Sequence, residues 1–219
     1  MKGEKLNKIT ENEKMLELFN EIKNCHKCPA MYPEKALRKI DQTNLTADVF
    51  IVSQALARDT LRESGINFYK LDGSIGNTGK QLDKFLSLFD RTINPASAKC
   101  VYNTEIAQCY PGKNKTGKGD RKPSKQEMEN CIHFLIKEIN LINPKLILLM
   151  GKSSRDSFYK YIIKKENNSG FSEQVGNIDY YNKIPVIPIQ HASGANPKYS
   201  GMLEDESIIK NIKRLLNEQ

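Results

Sequence analysis

Pro144-Lys145-Leu146-Ile147-Leu148-Leu149-Met150-Gly151 is the segment from which the architecture can be read. Apolar residues follow one another without the polar alternation of a half-exposed strand, over a strand's length, and a glycine closes the run. That pattern suits a central parallel strand covered on both faces. Just upstream, Ser124 with Glu127 three residues on forms a capping box. Met128, Cys131, Ile132, Leu135, Ile136 and Ile139 then give the apolar stripe of the helix it starts. Downstream, residues 152 to 164 read as another helix, so the strand is enclosed between two helices. Further out, Ala47 to Val52, Lys99 to Ala107 and Ile184 to Ile189 read as strands, with Tyr180-Tyr181 a short one beside the last. Helices are predicted over 11 to 24, around Leu82 to Phe89, and around Ile208 to Leu216. This alternation predicts a three-layer α/β/α sandwich around a central, mostly parallel four-stranded sheet. Sites in such folds lie beyond the carboxyl ends of the strands, so the loops after residues 52, 107 and 189 should face one crevice.

The chain has 219 residues, 38% of them hydrophobic and 27% charged, which fits a single folded domain spanning 1–219 rather than a disordered chain. No run approaches the roughly 18 apolar residues of a membrane span, and the first residues lack the apolar core of a secretory signal. A cytoplasmic protein is expected. Lys and Arg total 34 against 26 Asp and Glu, a net charge of +8 that favours polyanionic partners such as nucleic acid.

Five cysteines in a reducing compartment point to metal or cluster binding before disulfides. Cys25 and Cys28 form a C-x-x-C pair, and Cys109 and Cys131 follow far along the chain. Four such thiolates suit either a tetrahedral zinc or a [4Fe-4S] cluster with one Cys per iron; spacing alone does not choose. Cys100 lies outside the pattern and reads as a structural thiol. Among three histidines, His191 opens a Gly/Ser/Asn loop directly after a strand, at the active edge, whereas His26 and His133 read as surface or packing residues. Lys113, Lys115, Lys118, Arg121 and Lys122 make a basic loop suited to phosphates.

Taken in order, these elements resemble the iron-sulfur uracil-DNA glycosylases, family four of the uracil-DNA glycosylase superfamily. The match runs from about residue 20 to residue 200. It rests on Cys25-His-Lys-Cys28-Pro29, the strand-loop Ile51 to Ala57, Thr78-Gly79-Lys-Gln-Leu82, Val101 to Gly112, Pro123 to Cys131, Ile142 to Gly151, and Val186-Ile-Pro-Ile-Gln-His191. The resemblance implies a [4Fe-4S] cluster on Cys25, Cys28, Cys109 and Cys131, and a monomer acting on DNA in base excision repair. The target base is flipped out because its glycosidic bond is unreachable inside the stack. His191 matches the His that stabilises the departing base, while Ser193 and Asn196 would contact the DNA backbone and Gly194 would allow its close approach.

The chain departs from the family in its pocket. Where the family's first motif reads Gly-Glu-Gly/Ala-Pro-Gly, Ser53-Gln54-Ala55-Leu56-Ala57 stands here, so Gln54 replaces a Glu. Ala55 occupies the place of the water-positioning residue of other branches, with Asp59 a nearby carboxylate. The base-stacking aromatic aligns near Ser74 or Ile75, and Phe68 or Tyr69 could serve instead. The family's base-reading Asn is Glu105, with Asn103 on the same strand face as the alternative reader. An ionised carboxylate only accepts hydrogen bonds, so it does not match uracil's O4 and N3-H as an amide does. The expectation is therefore a glycosylase for uracil or a related altered base; a glycosylase retuned to another base, or a DNA-binding relative without turnover, is the alternative.

Overall fold

The structure is a computed structural model and describes residues 10–31, 43–56, 64–166, 169–193 and 196–217. Asp59 and Gly194, singled out above, lie outside the described residues. The chain runs α1 (Glu11–Lys23), β1 (Val49–Ala55), α2 (Asn77–Ser87), β2 (Tyr102–Ala107), α3 (Lys125–Ile142), β3 (Leu146–Met150) and α4 (Lys152–Phe158). It continues through α5 (Phe171–Gln174), β4 (Asp179–Tyr181), β5 (Ile184–Ile189), α6 (Lys198–Leu203) and α7 (Glu206–Asn217). A π-helical turn, Tyr159–Ile163, extends α4 to the predicted length.

The sheet order is β2-β1-β3-β5-β4, with β2, β1, β3 and β5 parallel and β4 antiparallel to β5. The described sheet therefore has five strands rather than the expected four. The fifth is the short strand expected at Tyr180-Tyr181, which its three residues are too few to place in the sheet by periodicity. The strand predicted from Lys99 starts only at Tyr102; Cys100 precedes it, bridged to Thr92.

β3 is buried throughout, as its continuous apolar run requires. β1 shows how one strand serves two layers. Val49 and Ile51 pack with Leu82, Phe85 and Leu86 of α2 and Ile212 of α7. Phe50 and Val52 point the other way, to Met15 and Leu18 of α1 and to Leu135 and Ile139 of α3. Alternation across the pleat produces this division, and burial of both sets supplies the main stabilisation of the three layers.

Helix starts follow the sequence signals. Thr10 with Glu13, and Ser124 with Glu127, form complete capping boxes at α1 and α3. α3 ends at Asn143, whose φ of 47° is the left-handed stop that Asn tolerates. In β5, the Pro188 carbonyl accepts from the Gly176 amide on the side away from β3. The missing Pro188 donor therefore lies outward too, past β4, whose pairing reaches only from Ile184 to Val186.

Candidate active site

β1, β2, β3 and β5 all end at one cleft of about 670 Å³. Its wall takes Ser53, Gln54, Ala55 and Leu56 from the end of β1, Glu105 from β2, Met150 from β3, and His191 from just after β5. Asn67, Phe68, Lys70 and the first turn of α2, with Pro111 and Asp120 to Pro123, complete its lining. The three loops expected to share a crevice do so, and His191, Gln54, Ala55, Glu105 and Phe68 are brought together in it.

Gly151, the glycine that closes the central run, determines where His191 sits. Its φ is +87°, and a Cβ built on it would lie 3.2 Å from His191 Cβ and 3.3 Å from Cδ2. Only glycine allows both that backbone turn and that approach. The His191 Nδ1 accepts a hydrogen bond from the Ser193 amide at 3.2 Å. In the neutral ring the proton therefore resides on Nε2, which becomes the donor. His191 is exposed as a residue, yet the protein packed against it lowers its pKa from the usual 6.5, because desolvation disfavours the imidazolium. A neutral donor is thus favoured near pH 7.

Glu105 is buried, at 4% exposure, and lies beside Ser53 in the sheet register. Its carbonyl accepts from Gln108 Nε2 at 2.9 Å. Gln108 is in turn within 3.3 Å of Glu138, a buried carboxylate that also accepts from Tyr102 and Thr104 hydroxyls. This polar network underpins the end of β2, and the sequence did not announce it because its members are scattered over strand, turn and helix. Asn103 shares the Glu105 face but is absent from the cleft wall; its carbonyl accepts from Asn67 Nδ2 at 3.4 Å.

Phe68 lines the cleft with φ of 69°, unusual for an aromatic residue. Its carbonyl accepts from the Gly76 amide at 2.7 Å. A Cβ on Gly79 would come within 2.7 Å of both Phe68 Cβ and Ile75 Cγ2, so the glycine of Thr78-Gly79 makes room for Phe68. Tyr69 packs against the same core as Phe68 and Ile75, forming a bridge opposite Ile75, but does not line the cleft. α2 begins at Gly76 without a side-chain cap, and its first turn faces the cleft, a position that favours negative charge there.

Three residues expected to touch DNA are engaged within the protein. Asn196 Nδ2 donates to Gln190 Oε1 at 3.2 Å and to the His191 carbonyl at 3.1 Å, bracing the loop. In the basic loop, Arg121 grips Glu127 with two hydrogen bonds of 2.7 and 2.6 Å, and Lys113 pairs with Asp120 at 2.8 Å. Among the described residues, Lys115, Lys118 and Lys122 form no such ion pair. Glu127 is held down to about 2 chiefly by Arg121, against the opposing effect of burial.

Cys28 and Ala55 pack against the cluster of Met31, Ala107 and Cys109, and Cys28 and Cys25 act electrostatically on Cys131. Asn130 donates to Cys28 Sγ at 3.3 Å. Burial pushes the Cys131 thiol up to about 11. No described group of three or more His, Cys, Asp or Glu is close enough to enclose a single metal ion. Four thiols drawn from three segments match the donor chemistry of a cluster, which takes one Cys at each of four iron corners and so needs a wider set than one ion. Cys100 lies apart, buried beside Asp83, its thiol pushed up to about 11 mainly by desolvation.

A mostly parallel sheet with helices on both faces, and a cleft across its carboxyl edge with His191 and Glu105 in its wall, define an α/β protein whose candidate site lies where such folds bind their ligands. The family model described as the uracil DNA glycosylase superfamily matches residues 40–215, and the chain belongs to that superfamily. It is 24% identical over 205 residues to a type-4 uracil-DNA glycosylase of Archaeoglobus fulgidus, covering 93% of this chain and 94% of that one. A type-4 enzyme of Saccharolobus solfataricus is 24% identical over 91% of this chain and 85% of its own length. A type-5 uracil-DNA glycosylase of Pyrobaculum aerophilum is 25% identical over 90% of each.

Proposed function

We propose that the protein is a DNA glycosylase that hydrolyses the N-glycosidic bond of uracil, or of a closely related altered base, in base excision repair. The observation that carries the reading is His191: neutral, with Nδ1 committed to the Ser193 amide and Nε2-H left to donate in the cleft. A base leaving its sugar gathers negative charge on a carbonyl oxygen while the sugar becomes cationic. A preorganised neutral donor and the open first turn of α2 both favour that negative charge. The base must leave the stack to reach the cleft. Phe68 offers it an aromatic face, Glu105 a polar edge to meet, and Gln54 at the end of β1 a polar group for the attacking water. Ser193 and the unpaired lysines of the basic loop supply phosphate contacts, Gly194 the close backbone approach, and Asn196 braces their loop.

Cys25, Cys28, Cys109 and Cys131 are the residues that would hold a [4Fe-4S] cluster. When bound, the cluster would cross-link the N-terminal turn, the end of β2 and α3, behind the cleft wall. The acting unit is a single chain with DNA as its partner, and no described helix is long and apolar enough to cross a membrane. Cysteines kept as thiols suit the reducing cytoplasm.

The test is direct. Oligonucleotides carrying a single uracil are incubated with protein and abasic sites are then cleaved with alkali. His191→Ala should lower the single-turnover rate by on the order of 10² to 10³ while leaving DNA affinity nearly intact. Equal rates for both proteins would remove His191 from the reaction. A second reading rests on Glu105 at the base edge: hypoxanthine, xanthine or a modified pyrimidine cut faster than uracil would make this a glycosylase retuned to that base.

A further inference from the structure

Large apolar side chains stand exposed at three described positions: Leu16 at 46%, Leu71 at 72% and Tyr180 at 55%. Leu16 is on α1, and Tyr180 is on β4 at the edge of the sheet. Only Leu71 adjoins the cleft, between Lys70, which lines it, and the turn beyond; Phe68, three residues back, lines it too. The segment that carries Leu71 is a built hairpin. Tyr69 bridges Ile75, the Lys70 amide donates to the Ser74 carbonyl at 2.9 Å, and the Gly73 amide donates to the Lys70 carbonyl at 3.0 Å. Asp72, the one acidic group at the tip, accepts from the Ser74 amide at 2.8 Å and its hydroxyl at 2.6 Å, and these bonds hold its pKa low. The Gly76 amide pins the base of the hairpin to Phe68.

A base drawn out of duplex DNA leaves a gap in the stack, and proteins that unstack DNA fill such gaps with an apolar wedge. The loop after His191 reads Ala192-Ser193-Gly194-Ala195-Asn196 and has no side chain long and apolar enough for that task. We propose that Leu71 is the wedge: it enters the duplex beside the cleft, on the hydrogen-bonded tip of residues 69–75, and holds the base extruded. This rests on the glycosylase reading above and adds a residue that never touches the scissile bond.

The experiment compares wild type, Leu71→Ala, Leu71→Gln and Leu71→Met on uracil in a single strand, in a duplex opposite guanine, and in a duplex opposite a pyrene nucleotide. Leu71→Ala and Leu71→Gln should lose on the order of tenfold or more in single-turnover rate on the guanine duplex, with the single-strand rate unchanged. Pyrene, which fills the gap itself, should restore the loss, and Leu71→Met should stay near wild type. Equal losses on single strand and duplex, or no loss on duplex, would overturn the wedge. A parallel arm reads 2-aminopurine fluorescence beside the uracil on binding: it should rise with wild type and not with Leu71→Ala. If wild type cleaves no uracil, the glycosylase reading fails while this arm still decides Leu71, and a wild-type complex without the rise would refute the wedge.

Discussion

His191 was legible in the sequence because it follows a strand whose hydrophobic pattern is clear, and Glu105, inside the second strand, because the family resemblance sets it at the base-reading position. The state of each group was not legible. That His191 is a neutral Nε2-H donor depends on one backbone amide and on packing against Gly151, neither of which has a sequence signature. With its pKa below 6.5, the donor should survive mildly acidic conditions, so uracil cleavage should hold as pH falls through 6.5 and decline only further down. The same shift bears on stability. The unfolded chain takes up its proton first, so stability due to neutral His191 is present above pH 6.5 and lost as pH falls below it. A pH-rate profile breaking above 6.5 would contradict the assignment. For Glu105, substitution by Asn restores one donor and one acceptor. Activity on uracil relative to other bases should rise by about one to two decades, the size of one buried polar mismatch of roughly 1 to 3 kcal/mol. Unchanged preference, with cleavage lost in Asn103→Ala, would transfer base reading to Asn103.

Among the elements, α2 and α3 show what patterning reveals and what it hides. The α3 capping box was readable as Ser124 followed by Glu127, but its second partner was not. Arg121, which belongs by composition to a basic loop, spends its guanidinium on Glu127 and so joins that loop to the helix carrying Cys131. Glu127→Gln should therefore cost about 1 to 2 kcal/mol near pH 7, from a weakened cap and a lost, partly screened ion pair. Since the Glu127 carboxyl is held down to about 2 from 4.5, that difference should be full above pH 4.5 and disappear as pH falls toward 2. Urea unfolding of both proteins at pH 7 and pH 3 measures it. At α2, Gly79→Ala places a methyl against Phe68 and Ile75, and either the helix or Phe68 must move. Uracil affinity should fall together with a melting temperature lowered by the equivalent of about 1 to 3 kcal/mol. An unaltered Gly79→Ala protein would show that Phe68 is not held where the cleft needs it.

Across the whole molecule, the layers and four parallel strands could be foreseen, since each buried face writes its own period into the chain. β4 was legible as the short strand Tyr180-Tyr181 but not as a member of the sheet, because membership there comes from the Ile184–Ile189 strand it folds back on rather than from its own residues. The cysteine set makes the prediction at this scale: purified protein should be brown with about four irons per chain. Cys109→Ser or Cys131→Ser should strip the iron and destabilise the fold, while Cys100→Ser keeps it. A colourless, zinc-loaded protein would overturn the assignment. The sheet's outer boundary has a further consequence, for crowding rather than for catalysis. β5 is a long apolar strand of the kind that recruits other chains, yet β4 covers its first residues and Pro188 offers no donor beyond them. A second molecule approaching that side finds a ladder of three residues with a missing rung, too little to zip onto. That side of β5 is therefore a poor template for edge-to-edge pairing between copies of the chain.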